Sequence, residues 1–196
     1  MSNGGYIGIR RVPSASSAPG LWRDRDQYLA KRDGIWPPGA YRYFRINITA
    51  LNGDGYAEVE RISFIEKGVG YPNVNMTSDT APSPLVASAN SVLSAGYEAF
   101  YAFSTDTDAG GQSRWHSSNP TPPIWIQIDI GANTAILPTS LEYTPRFGGG
   151  VVNRAPSAFQ VLASNTGAFS GEQVTLYSAT GLTTGWANNT LRTFTF

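Results

Sequence analysis

The sequence predicts an all-β protein: a jelly-roll-like β-sandwich of about eight antiparallel strands, preceded by an extended N-terminal arm with one short helix. Three observations point there. Polar character comes from Ser, Thr, Asn and 21 Gly rather than from charge; the charged fraction is 14%, where roughly 25% is usual. Thirteen prolines cut the chain into short segments. Between these breaks, apolar residues recur at spacing two, the period of a half-buried strand.

The arm comes first, over residues 1–40. Residues 1–20 are a Gly/Ser/Pro segment broken by Tyr6-Ile7-Gly8-Ile9, whose weak alternation suits an edge strand added to a neighbour. Residues 21–33 form the one plausible helix. Leu21, Trp22, Tyr28 and Leu29 lie on one face with Arg25 and Arg32. Gly34 is a natural stop and Pro37-Pro38 forbids continuation. A helix this short is marginal alone, so its aromatic side chains need a surface to cover them.

The body, residues 41–196, follows. In Tyr41-Arg42-Tyr43-Phe44-Arg45-Ile46-Asn47-Ile48, Phe44, Ile46 and Ile48 alternate as in a strand. Leu51-Asn52-Gly53-Asp54-Gly55 is turn chemistry. Residues 57–65 read as a second strand, with Val59 alternating against Glu58 and Glu60. Residues 68–91 read as a crossover and 97–103 as a short apolar stretch. The most secure strand is Ile124-Trp125-Ile126-Gln127-Ile128-Asp129-Ile130, whose four isoleucines share one face. Residues 141–143, 159–163, 173–177 and 191–196 complete the set.

Charge is uneven along the chain. Up to Arg45, eight cations stand against three anions; beyond it, six stand against eleven. Such a basic arm suits an acidic protein surface better than nucleic acid, because phosphate-tracking segments are richer in Lys and less interrupted by Asp. No cysteine is present, which excludes disulfides, thiolate chemistry and Cys-based zinc sites. The opening Met-Ser-Asn-Gly-Gly lacks the regions of a signal peptide. No apolar run approaches the length needed to span a membrane. Three Asn-x-Thr tripeptides, at Asn47, Asn75 and Asn188, read as chance matches in a Thr- and Asn-rich chain.

Several segments resemble a known family. Ala99-Phe100, Arg114-Trp115-His116-Ser117-Ser118, the Trp125 strand ending in Asp129-Ile130-Gly131, residues 154–165, and Gly185-Trp186 with Thr193-Phe194-Thr195-Phe196 together resemble the discoidin, or coagulation-factor type C, domain. The resemblance spans residues 41–196 and implies a galactose-binding-like sandwich with Trp115 and Trp125 in its core. It departs from the pattern in one important way. The Arg42-Tyr43-Phe44-Arg45-Ile46 strand, which ordinarily closes the domain, stands first. That order reads as a circular permutation in which residues 41–48 pair antiparallel with residues 191–196. The arm, with Gly20-Leu21-Trp22, Gln27-Tyr28 and Gly34-Ile35-Trp36-Pro37, resembles a segment of tailed-phage structural proteins.

Catalysis is not expected. The lone histidine, His116, has no nucleophile-elbow motif to serve and reads as a rim or packing residue. Asp106 and Asp108, in Ser104-Thr105-Asp106-Thr107-Asp108-Ala109-Gly110-Gly111, are the metal candidates. A structural calcium ion wants several oxygen ligands, and an ordinary Asp/Gly turn is the alternative. No cofactor is required. For ligand class the resemblance implies glycan, with loop residues Tyr101, Arg114, His116, Arg146 and Phe147 as candidates. Leu21, Trp22, Tyr28, Ile35 and Trp36 are the assembly candidates.

The expected protein is therefore a virion structural component of a tailed bacteriophage: a tail fibre, baseplate or other appendage part, assembled in the host cytoplasm. Its expected partners are other virion proteins, copies of itself and host-surface glycan, with neither nucleic acid nor a membrane span involved. A stand-alone carbohydrate-binding module and a capsid decoration protein are the alternatives.

Overall fold

The protein's structure, a computed structural model, describes residues 39–53, 55–105, 114–119, 121–146, 148 and 150–196. The arm helix and Leu21, Trp22, Tyr28, Ile35 and Trp36 lie outside the described residues.

In chain order the strands of the unit Tyr41–Phe196 are β1 (Tyr43–Leu51), β2 (Glu58–Glu66), β3 (Val69–Tyr71), β4 (Val86–Ala89), β5 (Trp115–His116), β6 (Ile124–Asp129), β7 (Ser140–Pro145), β8 (Pro156–Ser164), β9 (Val174–Ala179) and β10 (Arg192–Thr195). A 3-10 helix, Ala99–Phe103, and a single helical turn, Val151–Arg154, interrupt them. Ten strands among the described residues exceed the expected eight. The additions are the short β3, β4 and β5, too brief to show a period in the sequence, while the apolar stretch 97–103 supplies the 3-10 helix rather than a strand. One sheet runs β4-β6-β1-β8-β9; the other runs β10-β7-β2-β3, with β5 also paired to β2. All these pairings are antiparallel, and the two sheets form a sandwich.

The expected alternation builds the core. On β1, Phe44, Ile46 and Ile48 are fully buried. They stand opposite Ile128, Ile126 and Ile124 on one side and Ala163, Val161 and Phe159 on the other. All four isoleucines of the Trp125 segment are buried, as the period requires. Rings join the two layers: Phe44 meets Phe64 of β2 at 4.7 Å, and Phe159 meets Phe194 of β10 edge-on at 5.0 Å.

The expected pairing of residues 41–48 with 191–196 is overturned, because β1 and β10 lie in different sheets. Both edges of β1 are already taken, by β6 and β8. Strand β10 instead pairs with β7, which delivers Phe194 to the core. The permutation inferred from that adjacency does not hold in that form. The two ends of the unit do bond one short segment: Tyr41 exchanges backbone hydrogen bonds with Ile136, and the Phe196 amide donates to Thr139.

Trp115 is fully buried, as expected, but Trp125 is a correction. It is half-buried and offset by one residue from the buried isoleucines, hence on the outer face of its sheet. There it stacks on the Arg45 guanidinium, which lies 4.0 Å from the Trp125 ring centroid and 4.0 Å from that of Phe169. The Asp129-Ile130-Gly131 motif also has a structural reason. Asp129 accepts two 2.6 Å hydrogen bonds from Arg42 and one of 2.8 Å from the Gly131 amide. Gly131 has φ +96°, and a Cβ there would overlap Pro84.

Candidate functional site

The site begins with an irregularity in β2. Its register against β7 shifts between Val59 and Arg61, making Glu60 the extra residue of a bulge, which reverses the inward–outward alternation. Beyond the bulge Ile62 and Phe64 fill the core; before it, Ala57 and Val59 do. Glu58 is therefore directed away from the apolar layer. Strand β5 matches this arrangement. Trp115 stands opposite Val59 and His116 opposite Glu58, so one register puts the tryptophan in the core and the histidine against the carboxylate.

Four cationic or potentially cationic side chains from three further parts of the chain converge on Glu58. Its Oε1 takes His116 Nε2 at 2.7 Å and the Arg154 guanidinium. Its Oε2 faces Arg114 Nε at 3.0 Å and Arg146 Nε at 2.8 Å. These last two are close ion pairs without hydrogen-bond alignment at Oε2. His116 Nδ1 lies 2.8 Å from the Ser117 carbonyl, and Arg154 Nη1 also sits 3.1 Å from His116 Nε2. Arg154 closes the helical turn, and Arg146 directly follows β7. Aromatic rings flank the group: Tyr56 and Tyr97 lie 5.6 and 5.5 Å from His116, and the Arg114 guanidinium lies 5.1 Å from the Tyr97 ring centroid.

The electrostatics follow from burial. The Glu58 side chain is 0% exposed, Arg114 11%, Arg146 15% and Arg154 27%. Burial pushes the Glu58 carboxyl up, but the His116 hydrogen bond and the Arg114, His116 and Arg146 charges together outweigh it. The carboxyl is held below its ordinary range. For Arg146, burial acts first and downward. Glu58 attracts, while Arg114 and Arg154 repel, and the guanidinium stays below the usual arginine value.

Tyr143 is fully buried in the core, and among the described residues its hydroxyl has no hydrogen-bond partner. Burial, then the nearby Glu58 charge, pushes this phenol up. Removing an unpartnered buried hydroxyl costs no hydrogen bond. Tyr143→Phe is thus expected to leave the urea midpoint unchanged or raise it. A loss above about 1 kcal/mol would mean that the hydroxyl is bonded in solution.

Of the residues expected to form a ligand site, Arg114, His116 and Arg146 are brought together. Tyr101 instead stacks on Phe100 at 4.1 Å, and Tyr97 supplies the ring beside His116. Phe147, Asp106 and Asp108 lie outside the described residues. At the start of the acidic loop, Asn75 Oδ1 accepts from the Ser104 hydroxyl and the Thr105 amide. No group of acidic, histidine or cysteine side chains that could hold a metal occurs among the described residues. Sequence reasoning missed Glu58, Arg154, Tyr56 and Tyr97. A usable signal was the scarcity of cations: three of the six beyond Arg45 meet at Glu58. Asp129 serves Arg42, and His116 serves Glu58.

No helix among the described residues is long and apolar enough to cross a membrane. Neither the curated proteins nor the solved structures compared with the chain gave a match. A family model does match, over residues 86–196, more than half of the chain, and its description is F5/8 type C domain. With the two-sheet sandwich, Trp115 in its core and the Asp129-Ile130-Gly131 turn in place, the chain belongs to the F5/8 type C domain family.

Proposed function

We propose that this protein is a surface-binding component of a tailed-phage virion, its sandwich contacting host glycan and its arm fixing it to the particle. The observation that carries the binding half is the gathering of Arg114, His116, Arg146 and Arg154 with Tyr56 and Tyr97 around one buried carboxylate. Arginine supplies directed donors and aromatic rings supply stacking faces, the two contacts that sugars accept. Domains of this family are generally binding modules rather than catalysts and often bind carbohydrates or surfaces.

The anchoring half is supported by the arm's sequence. Leu21, Trp22, Tyr28, Ile35 and Trp36 stand within sixteen consecutive residues, and residues 1–40 hold six of the chain's fourteen cations. At about 25 cal/mol per Å2, covering even two such aromatic side chains contributes several kcal/mol. The basic groups beside them steer docking. A chain lacking residues 1–40 is expected to remain folded and to retain glycan binding, but to be absent from assembled particles. Incorporation of the truncated chain at normal copy number would overturn the docking role. Failure of the full chain to bind any host-surface polysaccharide would overturn the glycan role.

A further inference from the structure

We infer that the outer face of the β4-β6-β1-β8-β9 sheet is a second binding site, which takes a neutral polysaccharide laid across the strands. It is separate from the Glu58 end, since β2 belongs to the other sheet. Register puts Trp125 of β6, Asn47 of β1 and Gln160 of β8 in one row, roughly 10 Å long at the usual strand spacing. Gln127 and Arg45 stand side by side in the next row. All five residues are half-buried, so they form the surface of the sheet and not its core.

Several polar groups of this face have no partner among the described residues. Trp115 and Trp186 donate their indole N–H to backbone carbonyls, whereas that of Trp125 goes unused. Arg45 directs both Nε and Nη2 at Gln127 Oε1, at 3.0 and 2.7 Å. A guanidinium only donates, so the Gln127 oxygen faces it and the NH2 group is left over. Asn47 and Gln160 share one hydrogen bond of 3.2 Å. Whichever amide donates in it, the pair keeps a carbonyl oxygen and an NH2 to spare. None of these groups is sealed from water.

A sugar hydroxyl both donates and accepts, and the C–H face of a pyranose packs on an aromatic ring. This row offers donors, an acceptor and a ring together. Its charges are matched: Arg42 is held by Asp129 through two hydrogen bonds, and Arg45 has Glu172 as its attracting anion. A charged ligand thus meets no net charge to select it. The ring is also fixed in advance. Arg45 lies between Trp125 and Phe169, and Phe169 has φ +50°, where side chains seldom sit. Glu172 holds it there, accepting from the Phe169 and Ser170 amides and from the Ser164 and Thr166 hydroxyls. A surface ordered before the ligand arrives binds at a lower entropic cost.

The test is titration of the full, isotope-labelled chain with cellohexaose, maltohexaose and mannohexaose, followed by the NMR signals of side-chain N–H groups. At least one is expected to bind with a Kd of about 1 mM or tighter. It should shift the Trp125 indole and the Gln127 and Gln160 NH2 signals and leave the Trp115 and Trp186 indoles in place. Trp125→Ala should weaken that binding about tenfold, and Gln160→Ala about threefold. Shifts centred on His116 and absent from Trp125 would put the sugar at the Glu58 end, overturning the inference and leaving the glycan role intact. Binding of none of the three hexasaccharides would also overturn it. So would Trp125 and Gln160 signals that move with protein concentration and not with sugar, because another copy would then cover the face. The native titration needs no variant, so the outcome stands should Trp125→Ala fail to fold.

Discussion

Glu58→Gln is expected to lower the stability of the sandwich by about 3–5 kcal/mol, because it removes the shared anion and leaves three buried or half-buried guanidiniums facing one another. For a unit of this size that corresponds to a fall of about 10 °C in Tm. The native protein should show a matching dependence on pH. Glu58 is held below its ordinary value in the folded state, so its contribution is present above the unfolded-state value of about 4.3. It is lost as pH falls through the depressed folded value. Urea midpoints measured from about pH 6 down to pH 3 should therefore decline in the native chain, with a smaller part of that slope in the variant. A variant within about 1 kcal/mol of the native chain at pH 7 would show that the arginines spread apart without cost.

Phe44→Ala is expected to be comparably severe, costing about 3–5 kcal/mol. Phe44 is fully buried on the strand at the centre of its sheet, and its ring meets Phe64 of the opposite sheet at 4.7 Å. The cavity would open between the layers, where backbone pairing on both sides of β1 limits collapse. Chemical denaturation should show a lower midpoint with an unchanged slope. A loss below about 1.5 kcal/mol would mean that the layers close over the gap.

Legibility in the sequence depended on range. The isoleucine alternation of 124–130 and the Phe44, Ile46, Ile48 period could be read because a period of two is a local property of a strand. Which strands become neighbours is not local. Pairing of β1 with β6 and β8 joins residues far apart in the chain, and nothing inside residues 41–48 distinguishes that outcome from pairing with residues 191–196. The candidate site divides the same way. Arg114, His116 and Arg146 sit beside recognisable loop or turn signals and could be named. Glu58 was not, since its burial depends on a bulge at Glu60, whose trace in the sequence is a change of parity, from Ala57 and Val59 to Ile62 and Phe64, within a strand too short to establish either phase. Trp125 was misplaced for a different reason: the family resemblance implied a core tryptophan there, yet its parity among the isoleucines puts it outside, on Arg45.

The hydrogen bonding of the two ends has a mechanical consequence. A pull transmitted through the chain preceding Tyr41 reaches β1, a strand clasped by two ladders, so yielding there requires many bonds to shear at once. A pull on Phe196 first meets the bond from its own amide to Thr139 and then β10, whose described ladder is with β7 alone. That strand can peel one rung at a time. Under load between its two ends the sandwich is thus a lopsided link, expected to yield first at β10 while β1 holds.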